Sequence, residues 1–267
     1  LSSGKKLTLQ DFTQLQTDYL SITARTLVGL LKSRDKELKI ENESVKKAKE
    51  MLLNWDFQLT HNSVAAAIYA EWEDQLSEAL YLLIVPEEIS PYFRSLPTKR
   101  LVDWLITPRA DFSPEPIKFR DELLVNSLKQ ALQVLSERLG EDMTQWQYGQ
   151  THNKHITLTH ALSGWVGEEE RAKINLGPVP RGGYGETVGN TGNNLNQEHG
   201  ASFRIVVDTQ DWDKTLGINS PGQSGDPDDP HYRDLFELWA KDGYFPIYFS
   251  KDKIKAVSDR TLTLKPQ

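Results

Sequence analysis

Cysteine is absent from all 267 residues, which excludes disulfides, thiolate nucleophiles and cysteine-bound metals. Long apolar runs are absent too. The longest, ALYLLIV at 79–85, stops at Pro86 and falls far short of the ~20 residues that a membrane-spanning helix needs, so no membrane role is expected. Basic charge is scarce: 31 Lys and Arg stand against 38 Asp and Glu, a net charge of −7. Nucleic-acid binding domains show a clustered basic face. KSRDKELK (32–39) and KDKIKAV (251–257) mix signs or are short, so they read as solvated surface and no nucleic-acid partner is expected. The opening LSSGKKL lacks both an initiator Met and the apolar core of a signal peptide. A processed product or a piece of a longer polypeptide is the expectation.

What is present is globular: 38% apolar and 26% charged residues suffice for a real core in one large domain or two ordinary ones. The pattern divides into two regions, 1–145 and 146–267. The first reads as helices. Thr8 opens a capping-box-like TLQD, and Leu9, Phe12, Leu15, Tyr19 and Ile22 recur at three- and four-residue steps. Ser44 is placed to cap a helix carrying Val45, Ala48, Met51, Leu52 and Trp55, and Ser63 one that runs to Pro86. TKRLVDWLI ends at Pro108, and a long Leu stripe from Leu123 to Leu139 ends at Gly140. The second region changes period. HNKHITLTHAL (152–162), ASFRIVVDT (201–209) and YFPIYFS (244–250) predict strands, 175–200 a long Gly/Asn loop, and 229–243 a helix capped by Asp229 and closed by Gly243. The fold class expected is α+β.

Several constellations invite chemistry, and each fails a geometric requirement. GINSPGQSGDPDDPHYRDL (217–235) contains Gly222-Gln223-Ser224-Gly225-Asp226, which puts the second glycine one place early for a nucleophile elbow. Asp226, Asp228 and Glu237 match positions 1, 3 and 12 of a calcium loop, but Pro230 and His231 stand where the loop needs a ligand and a glycine. Asp208, Asp211 and Asp213 remain open as another acidic cation site. His152 and His160 would share a strand face yet lie about 26 Å apart at ~3.3 Å per residue, while His155 faces the other way. GGYGETVG (182–189) neither follows a strand nor opens a helix, as a dinucleotide loop must. Leu1 offers no hydroxyl for an N-terminal nucleophile, and trimming to Ser2 would leave it leading into a helix cap. No catalytic residue, substrate-binding residue or metal ligand is therefore assigned. Gly222, Gln223, Ser224, Gly225 and His231 read as a structural corner, with glycines at positive φ and side-chain hydrogen bonds tying the turn.

Five segments in order carry a resemblance: NWDFQLTHNSVAAAIYAEWEDQL (54–76), WQYGQTHNKHITLTHAL (146–162), GPVPRGGYGETVGNTG (177–192), HGASFRIVVD (199–208) and NSPGQSGDPDDPHYRDLFELWAKDGYFPIYF (219–249). Together they resemble the C-terminal part of the β subunit of the penicillin acylase (penicillin amidase) family, which are N-terminal-nucleophile hydrolases. The resemblance implies an αββα core of which this chain is an incomplete fragment, with 1–145 a helical segment and 146–267 strands contributing to the sheet. It implies autocatalytic cleavage of a precursor, a β-chain N-terminal nucleophile, and calcium, with nucleophile, oxyanion-hole groups and calcium ligands all upstream of Leu1. No cofactor is expected within these residues. The implied partners are the remainder of the β subunit, the α subunit and a small-molecule amide, in the periplasm. The implied activity is hydrolysis of the side-chain amide of β-lactam antibiotics or related N-acyl compounds, inert in the fragment alone. An acyl-homoserine lactone acylase fragment and a non-catalytic binding or scaffold domain are the alternatives.

Overall fold

A computed structural model describes residues 4, 6–93 and 95–266; Leu1 and Ser2, weighed above as nucleophile positions, lie outside the described residues. In chain order come α1 (Leu9–Gln16), α2 (Ile22–Ser33), α3 (Glu43–Leu53), α4 (Val64–Ile84), α5 (Thr98–Ile106) and α6 (Pro116–Leu139). Then follow β1 (His155–Leu158), α7 (Glu168–Ile174), β2 (Leu176–Pro180), β3 (Arg204–Val206), β4 (Leu216–Ile218), α8 (Phe236–Ala240), β5 (Phe245–Pro246) and α9 (Lys251–Val257). The result is a mixed fold of helices and small sheets. β1 pairs with β2, and β3, β4 and β5 form an antiparallel sheet in that order, with Ile205 opposite Gly217 and Gly217 opposite Phe245. Among the described residues no helix is long and apolar enough to cross a membrane.

Two compact units are assembled from non-contiguous segments, one from 19–156 with 180–199 and the other from 1–18, 157–179 and 200–267. Each draws on both sides of residue 145. The first holds α2–α6. Ser63 Oγ accepts from the Ala66 amide at 3.1 Å and launches α4; Pro86 prevents its continuation, since proline cannot donate the next helical hydrogen bond. α6 starts with Pro116 in its first turn and stops at Gly140, whose φ of 90° suits only glycine well. The two long helices pack through Trp72, whose indole N–H donates to the Leu124 carbonyl at 3.0 Å. Leu27, Leu31, Leu52, Leu76, Leu128 and Leu135 are all fully buried, each contributing roughly 1.5–3 kcal/mol of hydrophobic stabilisation.

Several helix limits differ from the sequence expectation. The stripe from Leu9 to Ile22 is interrupted: the chain becomes extended at Leu20, which bridges Gln58, with Ser21 N–H donating to Phe57 O and Leu59 N–H to Tyr19 O. Ser21 then caps α2. This bridge within the first unit satisfies amides that the helix would otherwise have used. Asn42, not Ser44, caps α3, two residues earlier.

In the second unit the three strands are only two or three residues long. Arg204 points inward from β3, donates to the Trp239 carbonyl at 3.1 Å and stands 3.6 Å from Asp242. The helix expected over 229–243 breaks into a 3₁₀ turn at Pro230–Tyr232 and the short α8, because the Leu235 amide is taken by the Pro221 carbonyl at 3.1 Å. Asp242, not Gly243, holds the left-handed position after α8 (φ 59°), with the Gly243 amide closing back on Leu238 O.

Candidate functional site

α4 is largely buried in its first half and carries a polar edge at Glu71, Asp74, Gln75 and Glu78, of which Asp74 and Glu78 are exposed. Glu71 and Glu73 are buried in the first unit with Asp74 at the surface beside them, where they meet side chains from α6, from the stretch at 146–156 and from the 181–199 segment. Glu71 is the compensated one. It pairs with Arg138 at 3.0 Å and accepts from Gln75 at 3.1 Å. Arg138 also donates to Asn153 Oδ1 at 3.2 Å, and Asn153 in turn donates to the Tyr148 carbonyl at 2.8 Å.

Asp74 and Glu73 are not so well served. Asp74 accepts a long hydrogen bond of 3.4 Å from the Tyr184 hydroxyl. Asp74 is itself exposed; desolvation by its crowded neighbours raises its carboxyl, with Lys154 opposing the rise and the Glu71 charge adding to it. Glu73 is only 4% exposed, and its Oε2 has no partner at hydrogen-bonding geometry. Burial first, then the like charge of Glu186, push it up to about 8; a nearby Tyr69 hydroxyl, itself without a well-formed hydrogen bond, and Lys154 offset part of this. The Lys154 ammonium donates to the Asn193 carbonyl and lies 5.5 Å from the Tyr184 ring centroid. Burial lowers its pKa, against the pull of Asp74 and Glu71. The phenols of Tyr69, Tyr148 and Tyr184 are all raised, burial being the largest cause in each.

A cleft of about 240 Å³ opens beside this cluster, lined among others by Asp74, Arg138, Asn153, Lys154 and Asn193. The 181–199 segment forms its other wall. Tyr148 Oη donates to Gly183 O at 2.5 Å, and Gln197 Nε2 donates to the same carbonyl at 2.8 Å and to Thr191 Oγ1 at 3.0 Å. Chemically this is a site that stores protons and orders a loop. The one hydroxyl of serine or threonine type named here, Thr191, is bound to an amide rather than to a base. Sequence reading missed the cluster because α4 was read only for its core stripe; the usable signal was Glu73, which falls off the polar edge formed by Glu71, Asp74, Gln75 and Glu78 and next to Trp72.

The residues singled out from sequence lie elsewhere. Gly222, Gln223, Ser224, Gly225 and His231 meet at one corner of the second unit, where the amides of Gln223 and Ser224 both donate to the His231 carbonyl, at 2.8 and 3.1 Å. Neither glycine is at positive φ. Gly222 is required by proximity instead: a Cβ there would sit 2.1 Å from the His231 oxygen and 2.6 Å from that of Tyr232, whereas one at Gly225 meets nothing within 4 Å. The side chains tie the corner only in part. Ser224 Oγ accepts from Asp226 N, Gln223 reaches only the adjacent Gly222 carbonyl, and the His231 ring turns out to Asp234 at 2.7 Å, which raises its pKa. Gly222→Ala is expected to cost about 2–3 kcal/mol through forced backbone displacement, against less than about 0.5 for Gly225→Ala. Thermal unfolding of the two variants side by side checks this.

The acidic candidates are occupied by protein donors. Asp208 accepts from the amides of Gln210 and Asp211, Asp211 from Asp213, and Asp213 from Phe249 and Ser250. Asp226 accepts from Asp228 N, and Glu237 pairs with Lys241. His155 Nδ1 contacts the Asn153 carbonyl and His160 Nδ1 accepts from Leu162 N. Among the described residues no group of three His, Cys, Asp or Glu is placed to hold a metal ion.

Comparison with known proteins gives the relationship. A family model for penicillin amidase matches residues 1–256. The chain is 26% identical over 250 residues to an acyl-homoserine lactone acylase of Pseudomonas aeruginosa, covering 85% of this chain and 30% of that protein. It is likewise 26% identical over 265 residues to the penicillin acylase 2 proenzyme of Pseudomonas sp. strain SE83, covering 93% and 33%. The solved structure of a thermostable penicillin G acylase from Alcaligenes faecalis aligns with all of this chain and 51% of its own, at 19% identity and a TM-score of 0.58. The chain thus spans about a third of the length of the curated relatives it matches.

Proposed function

This chain belongs to the penicillin amidase family, and from that premise we propose that it is the scaffold portion of an amidohydrolase acting on linear N-acyl amides. The observation that carries the reading is the family match running through 1–256. The share of each relative that is covered supports a division of labour. The nucleophile, the oxyanion-hole groups and the calcium ligands belong to polypeptide outside these 267 residues, and the chain is an incomplete part of an αββα fold. Its partners are then the remainder of the β subunit and the α subunit, produced by autocatalytic cleavage in the periplasm. The short antiparallel sheet and the helical unit serve to keep the reacting groups rigid, which catalysis at a preorganised site requires.

The favoured substrate class is the side-chain amide of a β-lactam antibiotic or a related N-acyl compound. A second reading, an acyl-homoserine lactone, is favoured by the relative from Pseudomonas aeruginosa. The full-length gene product is expected to release the amine from a chromogenic phenylacetyl amide or the homoserine lactone from an N-acyl derivative, and the substrate preferred decides between the two. Residues 1–267 alone are expected to turn over neither. Turnover by this chain alone overturns the division of labour; inertness of the full-length product on both classes favours a scaffold domain without catalysis.

A further inference from the structure

We propose that Glu73 is a proton-operated latch: protonated, it lets the 181–199 segment of its own unit lie closed against α4, and ionised, it loosens it. The segment has little regular structure; its C-terminal part is pinned by a parallel bridge to His155, whose amide donates to Leu195 O at 2.9 Å and whose carbonyl accepts from the Gln197 amide at 2.7 Å, and its remainder by side-chain and single backbone bonds. Gly183 N–H donates to Leu59 O at 2.8 Å, its carbonyl receives Tyr148 and Gln197, Lys154 holds the Asn193 carbonyl, and Tyr184 reaches Asp74. Two of these fasteners, Tyr184 and Lys154, also act on Asp74, where ionisation strengthens their hold, so release falls to Glu73.

The charges around Glu73 leave it without a cation of its own. From α4 it faces Tyr69 and Asp74; from the segment, Tyr184 and Glu186; from the stretch at 146–156, Tyr148 and Lys154; the α6 cation Arg138 serves Glu71. Arg138 is engaged by Glu71 and Asn153, and the Lys154 ammonium by a backbone carbonyl. An ionised Glu73 therefore carries a buried, unpaired oxygen beside two like charges, Asp74 and Glu186, in surroundings where such a charge is costly. Admitting water relieves that cost, and one wall is easier to move than the other. α4 is locked by Trp72, Leu76 and Leu80, each at most 2% exposed, whereas the segment, though anchored by buried Tyr184 and Gln197, carries a turn at 185–190 with Glu186 and Val188 on the surface. Displacing the segment also carries Glu186 away from Glu73, at the loss of a hydrogen bond from Thr98 to Glu186 (2.9 Å) on the exposed side. Release of the Glu73 proton, at about 8, sets the pH at which the latch works.

Hydrogen–deuterium exchange of the full-length protein between pH 6 and pH 9, with rates corrected for intrinsic base catalysis, tests this. Peptides covering 181–199 are expected to lose protection at least tenfold while peptides of α6 keep theirs, and Glu73→Gln is expected to abolish most of that loss. Glu186→Gln, a change at an exposed residue that leaves the core untouched, removes a like charge and is expected to shift the midpoint to lower pH. Protection of 181–199 that does not change with pH, or falls equally in α6, or a midpoint unmoved by Glu186→Gln, overturns the proposal. Should Glu73→Gln fail to fold, the wild-type protein and Glu186→Gln still decide it.

Discussion

Replacing Trp72 by alanine lowers the stability of the helical unit by about 4–5 kcal/mol, at the upper end for removal of a buried aromatic. Trp72 is fully buried at the contact between α4 and α6 and lies edge-on to Tyr69 with ring centroids 6.4 Å apart. Three losses coincide. The indole's transfer energy is forfeited, a cavity opens between two long helices that cannot both collapse into it, and the donor to Leu124 O disappears. The last is the smallest, about 1 kcal/mol, because that carbonyl lies within a helix and can retain its intrahelical partner. Trp72→Phe separates the contributions: it keeps most of the packing and is expected to cost about 2 kcal/mol. Trp165, 87% exposed, provides the contrast, with a change of less than about 0.5 kcal/mol on truncation. Urea titration followed by far-ultraviolet circular dichroism measures all three, and a Trp72→Ala midpoint equal to that of the wild type would refute this account of the core.

The second large effect is a stability that falls as pH rises, and its removal by Glu73→Gln. The Glu73 carboxyl is raised from 4.5 to about 8 in the fold, so between those values the native state holds a proton that the unfolded chain does not. Unfolding then releases a proton, and stability declines steadily from pH 4.5 until Glu73 ionises in the fold near 8, beyond which its contribution is constant. Asp74, raised in the same direction but exposed to solvent, adds at most a small decline of the same sign at lower pH. A glutamine at 73 mimics the protonated form at every pH. It is expected to match the wild type near pH 4.5 and to exceed it by about 3 kcal/mol at pH 9. Chemical denaturation of both proteins at pH 5, 7 and 9 is the measurement. A parallel decline in both, or a variant less stable at pH 9, would show that Glu73 is charged in the fold and compensated.

The amino-acid sequence by itself determined the helices whose signals are local. Ser63 before an apolar run, Pro86 after it, and Gly140 closing the Leu stripe of α6 act within a turn or two of their own position, so they can be read without knowing what surrounds them. The order of five motifs carried the family likeness in the same way, because it is a property of the chain and not of its folding. Tertiary structure decided what depends on distant partners. The break between α1 and α2 arises because residues 19–21 bond to 57–59, and the need for glycine at 222 arises because a carbonyl nine residues later folds against it. The carboxyl cluster is the plainest case. EWED could be seen as acidic in the sequence, but that Asp74 reaches the surface while Glu73 is buried among phenols and like charges depends on which segments close over α4, and burial, not residue type, sets where a carboxyl gives up its proton.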